Sequence, residues 1–336
     1  MQVQRRIAAL ALAATIALSG LAFGQAQNPS DINMAWIGKT LNNPWWISVA
    51  DFTVQEAETL GVNLTISLPG EEVDLERQIT MIEAAIQQGV DAIIISASSS
   101  EGVIPALERA RDAGIVIINF DTRIADPDLY DAFVGADDVA GAYKAGRFIC
   151  EQLGEGKVGL LEGLQAQSTG VDRKRGFVEA IEACPGVELV ASAPAEWRSD
   201  LALNATINIL TAHPDIDAIF ASNDQMALGM VNGVYAAGRD PSEFILVGYD
   251  GILDAAQAVL DGDLDAFVAL PAREEGFMTP RLALIKVLNP DFVFEREIIF
   301  PGPLVTGEYI EGQTDETIYE YITRVFPLYG VTAKGY

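Results

Sequence analysis

The sequence is poor in the residues on which much hydrolytic and metal chemistry depends, with one histidine and two cysteines in 336 residues. The histidine, His213, stands before a proline where a predicted helix ends. A helix C-terminus favours an interaction of the imidazole with the helix dipole over a catalytic role. The cysteines have no companion ligands at metal-binding spacing. We therefore expect no enzyme activity and no cofactor.

Basic residues are scarce as well, with 21 lysines and arginines against 48 aspartates and glutamates and a formal net charge of −27. A surface this acidic repels nucleic acid and anionic lipid. We therefore expect no nucleic-acid partner, and a DNA-binding regulator does not fit. The acidity is typical of a highly soluble surface and does not by itself indicate a cationic ligand.

A long apolar run occurs once, at the N-terminus. Arg5 and Arg6 precede an apolar segment from Ile7 to Leu18, and the small residues Ala22 and Gly24 stand at the −3 and −1 positions of a cut after Gly24. The run is shorter than the roughly 20 residues that span a bilayer, and the arrangement is typical of a secretion signal. We predict a signal peptide over residues 1–24 and a mature periplasmic protein that is not membrane-inserted. The remaining chain exceeds the usual size of a single core, which favours two domains.

Export would place the two cysteines, Cys150 and Cys184, in an oxidising compartment. Each stands near the end of a predicted helix in the same half of the chain, so a disulfide between them is possible. Spacing alone does not show whether their Cα atoms lie within bonding range. The sequence leaves both the paired and the free state open.

From Ile32 onward the sequence alternates short apolar runs with amphipathic runs. Branched runs such as Ala92–Ile95 are typical of strands buried on both faces of a parallel sheet, and the alternation predicts an α/β fold with helices on both sides of the sheet. The order restarts after Gly135, which predicts two similar halves. The predicted strands are Ile32–Gly38, Val62–Ser67, Ala92–Ser96, Val116–Phe120, Lys157–Leu161, Val187–Ser192, Ala218–Ala221, Ile245–Gly248 and Asp265–Leu270. The predicted helices are Pro44–Leu60, Leu75–Gln88, Gly102–Ala113, Val139–Leu153, Asp172–Ala183, Leu201–Ala212, Gln225–Ala237, Ala255–Asp261 and Glu275–Leu288.

Three separated motifs carry a resemblance to a known family. They are Leu41–Trp46 (LNNPWW), Ala221–Gly229 (ASNDQMALG) and Val247–Gly251 (VGYDG). In this order they resemble the ribose-binding-protein family, the type I periplasmic binding proteins of sugar ABC importers, and the similarity runs from about Ile32 to Leu270. The resemblance implies two flavodoxin-like lobes with parallel sheets, a hinge of three segments, and a ligand held in the cleft between the lobes.

The same resemblance implies the domain boundaries. The N-terminal lobe is expected to comprise residues 31–135 and 270–300, and the C-terminal lobe residues 136–269. Hinge segments are expected at Ala136–Asp137, at Ala269–Leu270 and near Phe300–Gly302. Residues 301–336 would form the hinge return and a C-terminal tail.

The resemblance and the chemistry of sugars together predict the ligand-binding residues. Aromatic side chains suit the apolar faces of a sugar ring, and carboxylates, amides and guanidinium groups suit its hydroxyls. Adjacent residues on a helix cannot share one face, so at least one of Trp45 and Trp46 should face the cleft rather than a core. Asp121 and Asp250 follow strands, where an aspartate is alternatively a helix N-cap. The expected ligand-binding residues are Asn43, Trp45, Trp46, Ser96, Asp121, Asp137, Arg173, Trp197, Asn223, Tyr249 and Asp250.

Several positions depart from the family's pattern. Thr122 stands where the family has an arginine, Ser96 where it has an asparagine and Ala269 where it has a glutamine. Trp45 and Trp46 stand where it usually has phenylalanines. Polar contacts typical of ribose binding are thus shortened or lost while the aromatic walls are larger. We therefore expect a solute other than ribose itself.

The resemblance implies the substrate-binding component of an ABC importer, which binds a sugar or polyol without catalysis and delivers it to a membrane permease with an ATPase partner. A monomer is expected. Two alternatives stay open. The protein could serve a chemoreceptor or sensor kinase, including one for a furanose such as autoinducer-2. Less favoured is a secreted carbohydrate-active enzyme, because paired carboxylates such as Asp121 and Asp250 also occur in glycoside hydrolases.

Overall fold

The computed structural model describes residues 28–311. The predicted signal peptide at residues 1–24 and the chain from residue 312 onward lie outside the described part. The described residues form two six-stranded sheets. The strands are β1 (Asn33–Ile37), β2 (Asn63–Ser67), β3 (Ala92–Ile95), β4 (Val116–Phe120), β5 (Ala132–Ala136), β6 (Gly156–Glu162), β7 (Val187–Pro194), β8 (Ala218–Ala221), β9 (Ile245–Asp250), β10 (Ala266–Ala269), β11 (Glu297–Phe300) and β12 (Leu304–Thr306).

Helices flank both sheets. Within residues 28–311, none of them is long and apolar enough to cross a membrane. The helices are α1 (Pro44–Leu60), α2 (Leu75–Gln88), α3 (Ile104–Asp112), α4 (Asp138–Leu153), α5 (Ser168–Glu182), α6 (Ser199–Ala212), α7 (Asp224–Ala236), α8 (Leu253–Asp261), α9 (Ala272–Leu288) and α10 (Gly307–Glu311).

The two sheets have similar strand orders, β11-β5-β4-β3-β1-β2 and β12-β10-β9-β8-β6-β7. Every pairing is parallel except that of β10 with β12. Strands β3 and β8 are buried along their whole length, as expected for strands with helices on both faces. The predicted α/β fold with two parallel-sheet lobes is confirmed. We call the sheet containing β1 and its helices the first lobe, and the sheet containing β6 and its helices the second lobe.

The chain passes between the two sheets three times. After β5 it enters α4, which packs on α5 and β10. After β10 it enters α9, which packs on α1 and β4. A short segment then leads from β11 in the first sheet to β12 in the second. That these three crossings act as a hinge stays a prediction.

Helices α1 and α2 have the predicted bounds because both carry local start and stop signals. The side chains of Asn43 and Asp74 cap their N-termini, and Gly61 and Gly89 adopt left-handed conformations at their C-termini. Helices α5 and α9 begin three to four residues before the predicted positions. The added turn of α9 contains Glu274, which is buried. A charged residue at a buried position interrupts the apolar pattern by which the start of a helix is recognised in a sequence.

The two cysteines form a disulfide. Cys150 lies in α4 and Cys184 follows α5, with their Cα atoms 6.2 Å apart. The helices approach closely because Gly146 and Gly176 lie at their contact, and a Cβ atom at Gly176 would overlap the carbonyl of Val139. The disulfide thus joins two helices that already pack through glycines.

Candidate functional site

A small cavity lies between the two lobes, where ligands bind in open α/β sheets beyond the carboxyl ends of the strands. Its walls come from the ends of strands and from the loops and helix starts that follow them: β1, β2 and β4 in the first lobe and β6 to β10 in the second. The lining residues are Lys39, Asn43, Trp45, Trp46, Glu72, Asp121, Gln167, Thr169, Arg173, Trp197, Asn223, Asp250 and Leu270.

Both tryptophans of the first motif line this cavity. They belong to the first turn of α1, and their rings meet edge to face with centroids 4.8 Å apart. The Trp46 indole Nε1 donates to Oε1 of Glu72 at 3.0 Å. The Trp45 Nε1 is buried and has no hydrogen-bond partner among the described residues. The sequence prediction that at least one of the pair faces the cleft is thus met by both.

Asp121 forms the polar end of the first lobe's wall. Its Oδ2 accepts from Nζ of Lys39 at 3.1 Å, from Oγ of Ser96 at 2.9 Å and from Oγ1 of Thr122 at 3.0 Å. The Lys39 ammonium also donates to Thr122. A cation therefore lies beside Asp121 although Thr122 stands where the family has an arginine.

Arg173, on α5, forms a polar part of the second lobe's wall. Its Nε donates to Asp138 at 2.8 Å, and its Nη1 donates to Asp250 at 2.9 Å and to the Ser222 carbonyl at 2.8 Å. The guanidinium stacks 4.1 Å from the ring centroid of Tyr249. Arg173 is thus held by two carboxylates and an aromatic face before any ligand is considered.

Direct hydrogen bonds join the lobes across the cavity. Asn43 Nδ2 donates to Oδ2 of Asp250 at 3.0 Å, while its own Oδ1 caps α1. Gln167 Oε1 accepts from Lys39 Nζ at 3.1 Å and from the indole of Trp197 at 2.9 Å. The lobes are therefore in contact, and side chains suited to bind hydroxyls bind one another.

The backbone has unfavourable positive φ angles at three residues that line the cavity. Only four non-glycine residues in the described range have positive φ, and three of them, Asp121 (53°), Trp197 (65°) and Asp250 (113°), line the cavity. Such conformations cost on the order of 1–3 kcal/mol each and cluster at functional sites. Neither aspartate caps a helix: the N-cap of α8 is Ile252, and no helix starts at Asp121. The N-cap interpretation of these two residues is therefore wrong.

Two cavity carboxyls have raised pKa values. Burial raises the pKa of Asp250 to about 6, although the Arg173 guanidinium and the hydrogen bond from Asn43 oppose the shift. Burial also raises the pKa of Glu72 to about 7, although the charge of Lys39 opposes it. Perturbed carboxyls gathered in a cleft are a physical mark of a binding or active site.

Eight of the eleven residues predicted from sequence line the cavity, and three do not. Ser96 and Tyr249 are fully buried behind it, where they hold Asp121 and Arg173. Asp137 is exposed and caps α4 through Ala140 N, whereas its neighbour Asp138 turns inward to Arg173. These placements make Ser96 and Tyr249 supporting residues and give Asp137 no place in the cavity. The contact of each lining residue with a ligand stays a prediction.

Sequence reasoning missed four polar lining residues: Lys39, Glu72, Gln167 and Thr169. Lys39 lies outside the three motifs identified in the sequence. Its place just after a buried strand, at the same sheet edge as Asn43, was a usable signal. Glu72, Gln167 and Thr169 lie in or next to loops whose sequences carry no comparable signal.

We predict that Gly163→Ala weakens ligand binding without unfolding the protein. A methyl group at Gly163 would overlap the indole of Trp197, so this ring must leave its place in the cavity wall. A tenfold or larger loss of affinity is expected, measured by titration calorimetry. Gly70→Ala is the matched control, since nothing lies within 4 Å of a methyl group there. Equal affinities of the two variants would contradict the assignment of Trp197 to the binding wall.

A second prediction concerns Glu275 in the first turn of α9. It is 1% exposed, its Oε2 has no hydrogen-bond partner in the described range, and burial raises its pKa well above the usual 4.5, helped by the charges of Asp121 and Asp138. Because the folded protein holds this proton to a higher pH than the unfolded chain, stability falls as pH rises above about 4.5.

Glu275→Met is therefore expected to raise the melting temperature, by more at pH 8 than at pH 5, since a buried polar group with an unpaired atom costs about 1–3 kcal/mol. Scanning calorimetry at both pH values measures the difference in melting temperature between the variant and the wild type. The exposed Glu58→Gln in α1 should show no such dependence. If this difference in melting temperature is the same at both pH values, Glu275 does not hold its proton in the folded state.

Comparisons with known proteins agree with this geometry. The family model described as "Periplasmic binding protein domain" matches residues 34–288. The ribose import binding protein of Salmonella typhimurium is 33% identical over 264 residues, covering 78% of this chain and 84% of that protein. The D-ribose/D-allose-binding protein of Pseudomonas aeruginosa is 32% identical over 317 residues, covering 90% and 98%. A solved ABC transporter periplasmic solute-binding protein from Actinobacillus succinogenes with bound D-allose is 31% identical, with a TM-score of 0.78 over 84% of this chain and 99% of that chain. The chain thus belongs to the periplasmic binding protein family.

Proposed function

We propose that this protein is the substrate-binding component of an ABC importer and binds a sugar or polyol between its lobes in the periplasm. The observation that carries the proposal is the cavity itself, which both lobes line with tryptophans and with hydrogen-bonding side chains. Aromatic walls with a polar rim match the apolar faces and hydroxyl edges of a monosaccharide. The relatives whose names include ribose or D-allose support the same class of ligand.

The proposed function depends on closure of the two lobes around the ligand. A ligand that contacts Trp45, Asn43 and Asp121 in the first lobe and Trp197, Arg173 and Asp250 in the second gains its full binding energy only when the lobes meet. This difference in affinity shifts the population towards the closed form. The closed, monomeric protein then docks on a membrane permease, whose ATPase partner drives import. The N-terminal secretion signal predicted from sequence would deliver the chain to that compartment. No catalytic step is required of the binding protein.

A thermal-shift screen tests the proposal. D-allose, D-ribose, other pentoses and hexoses, and polyols such as myo-inositol are each added to the purified mature protein. A ligand at a hundredfold excess over its dissociation constant stabilises the folded state by about 2.7 kcal/mol, so at least one compound should raise the melting temperature by several degrees. Incubating that compound with the protein should yield no product. A panel in which nothing raises the melting temperature would remove the sugar and polyol assignment.

A further inference from the structure

The charges around the cavity do not balance. Two basic groups, Lys39 and Arg173, line the cavity with three carboxyls, and a further carboxyl, Asp138, lies behind Arg173. Lys39 pairs with Asp121, and Arg173 pairs with both Asp138 and Asp250. The remaining lining carboxyl, Glu72, has no basic group within ion-pair distance in the part of the chain that the structure describes. The cavity shell therefore carries more negative than positive charge when its carboxyls are ionised.

Glu72 lies where a ligand would meet it. It lines the inner cavity and also an outer groove that leads away from the cavity between the lobes, and Asn43 and Trp197 share this double position. One of its oxygens accepts the indole hydrogen of Trp46 at 3.0 Å. The indole donor is neutral, so this hydrogen bond gives Glu72 no ion pair, although the charge of Lys39 acts on it from a distance.

The outer groove has the same sign of charge. It adds Glu71, Glu196 and Asp200 to Glu72, and its arginine, Arg198, already pairs with Asp200 at 2.7 Å. A cleft lined by one sign of charge concentrates ligands of the opposite sign at its mouth. The approach to the cavity thus favours a cation over a neutral or anionic solute.

A separate observation shows that the cavity wall has unused hydrogen-bonding capacity. The Nε1 of Trp45 is buried and has no hydrogen-bond partner within residues 28–311, and Trp45 is only 5% exposed. Leaving such a donor unpaired costs about 1–3 kcal/mol. A ligand oxygen that accepts from this group would remove the cost, so the ligand should carry hydroxyl or ether oxygens as well as a charge.

We propose, building on the sugar-binding function above, that the ligand is a sugar or polyol with a protonated amino group, and that Glu72 binds its ammonium. An ammonium compensates the charge of Glu72, which a hydroxyl cannot do, while the remaining hydroxyls meet Asp121, Asp250, Arg173 and the indole of Trp45. Burial raises the pKa of Glu72 to about 7 even though the charge of Lys39 opposes the shift. A bound ammonium would lower that pKa, because an opposite charge favours the ionised form.

Matched ligand pairs test this proposal by titration calorimetry at pH 7.5. Each pair is an amino compound and its hydroxyl parent: 2-amino-2-deoxyhexoses, 3-amino-3-deoxyhexoses and 1-amino-1-deoxypolyols against the parent hexoses and polyols. The N-acetyl derivatives keep the nitrogen but remove its charge. We expect at least one amino compound to bind at least tenfold more tightly than both its parent and its N-acetyl form.

Glu72→Gln should reduce the ratio of amino-compound affinity to parent affinity to less than threefold, while Glu76→Gln, at an exposed site on α2, should keep the wild-type ratio. Melting curves of both variants verify that they fold. Parents that bind as tightly as every amino compound would overturn the amine proposal and leave the sugar-binding function standing. If neither the amino compounds nor their hydroxyl parents bind, the sugar-binding function is overturned instead. An amine preference that survives in Glu72→Gln would place the cation elsewhere and also overturn the assignment of Glu72.

Discussion

Arg173→Ala is expected to abolish ligand binding and to destabilise the second lobe by about 3–5 kcal/mol, the usual cost of removing one partner from a buried ion pair. The guanidinium is 4% exposed and lies between Asp138 and Asp250, which are equally buried. Without it, two carboxyls share a dry site and must take up protons to remain there. The Ser222 carbonyl loses its donor at the same time.

Urea unfolding and calorimetric titration with the best ligand of the thermal-shift screen measure the two effects. Affinity should fall at least a hundredfold. Arg175→Ala is the matched control on the same helix, because its side chain is 56% exposed and its ion pair within residues 28–311 is with Asp172 alone; it should change stability by less than about 0.5 kcal/mol. Arg173→Lys keeps the charge but not the planar fork, so it should fold better than the alanine variant and still bind weakly. If Arg173→Ala behaves like Arg175→Ala, the buried ion-pair network contributes neither to the fold nor to the site.

Removal of the disulfide is expected to produce the second large effect, confined to stability. Cys150 and Cys184 are 34 residues apart in the sequence, and closing a loop of that length restricts the unfolded chain by roughly 3–4 kcal/mol. The double variant Cys150→Ala/Cys184→Ala should therefore melt several degrees below the wild type. Its affinity for ligand should be unchanged, because neither cysteine lines the cavity.

Reduction provides the control for this experiment. A thiol reductant should lower the melting temperature of the wild type towards that of the double variant and should leave the double variant unaffected. A loss of less than about 1 kcal/mol would show that the close packing of α4 on α5 through Gly146 and Gly176 already restricts the chain without the covalent bond.

Most of the fold was predictable because its signals are local. Pro44 opens α1, Gly61 ends it, and the run Ala92–Ile95 is apolar at every position, as a strand buried on both faces requires. Three strands were not predicted: β5 and the edge strands β11 and β12. The two edge strands have only four and three residues, which is too short to give a clear pattern.

The cavity residues that belong to a sequence motif were predictable. Those whose role depends on contacts with distant parts of the chain were not. Asn43, Asp250 and Arg173 lie within recognisable patterns. Asp137 and Asp138 are adjacent, but their side chains point in different directions. Asp137 caps α4, whereas Asp138 accepts a hydrogen bond from Arg173, 35 positions away, and the sequence does not show which of the two faces the site. Glu72 comes from the loop between β2 and α2, where it accepts the indole hydrogen of Trp46, and no local pattern indicates that pairing.

The positive φ angles at Asp121, Trp197 and Asp250 bear on attempts to change ligand preference by directed evolution. Most side chains are disfavoured at such angles, and glycine, which is not, would delete the contact. Libraries that randomise these three codons should therefore return mainly unstable or non-binding clones. Glu72 has no such backbone restriction, and among the described residues it forms no ion pair whose loss would leave a buried charge behind. Diversity directed to position 72 should therefore change which solute is accepted while the strained backbone at the other three positions stays intact.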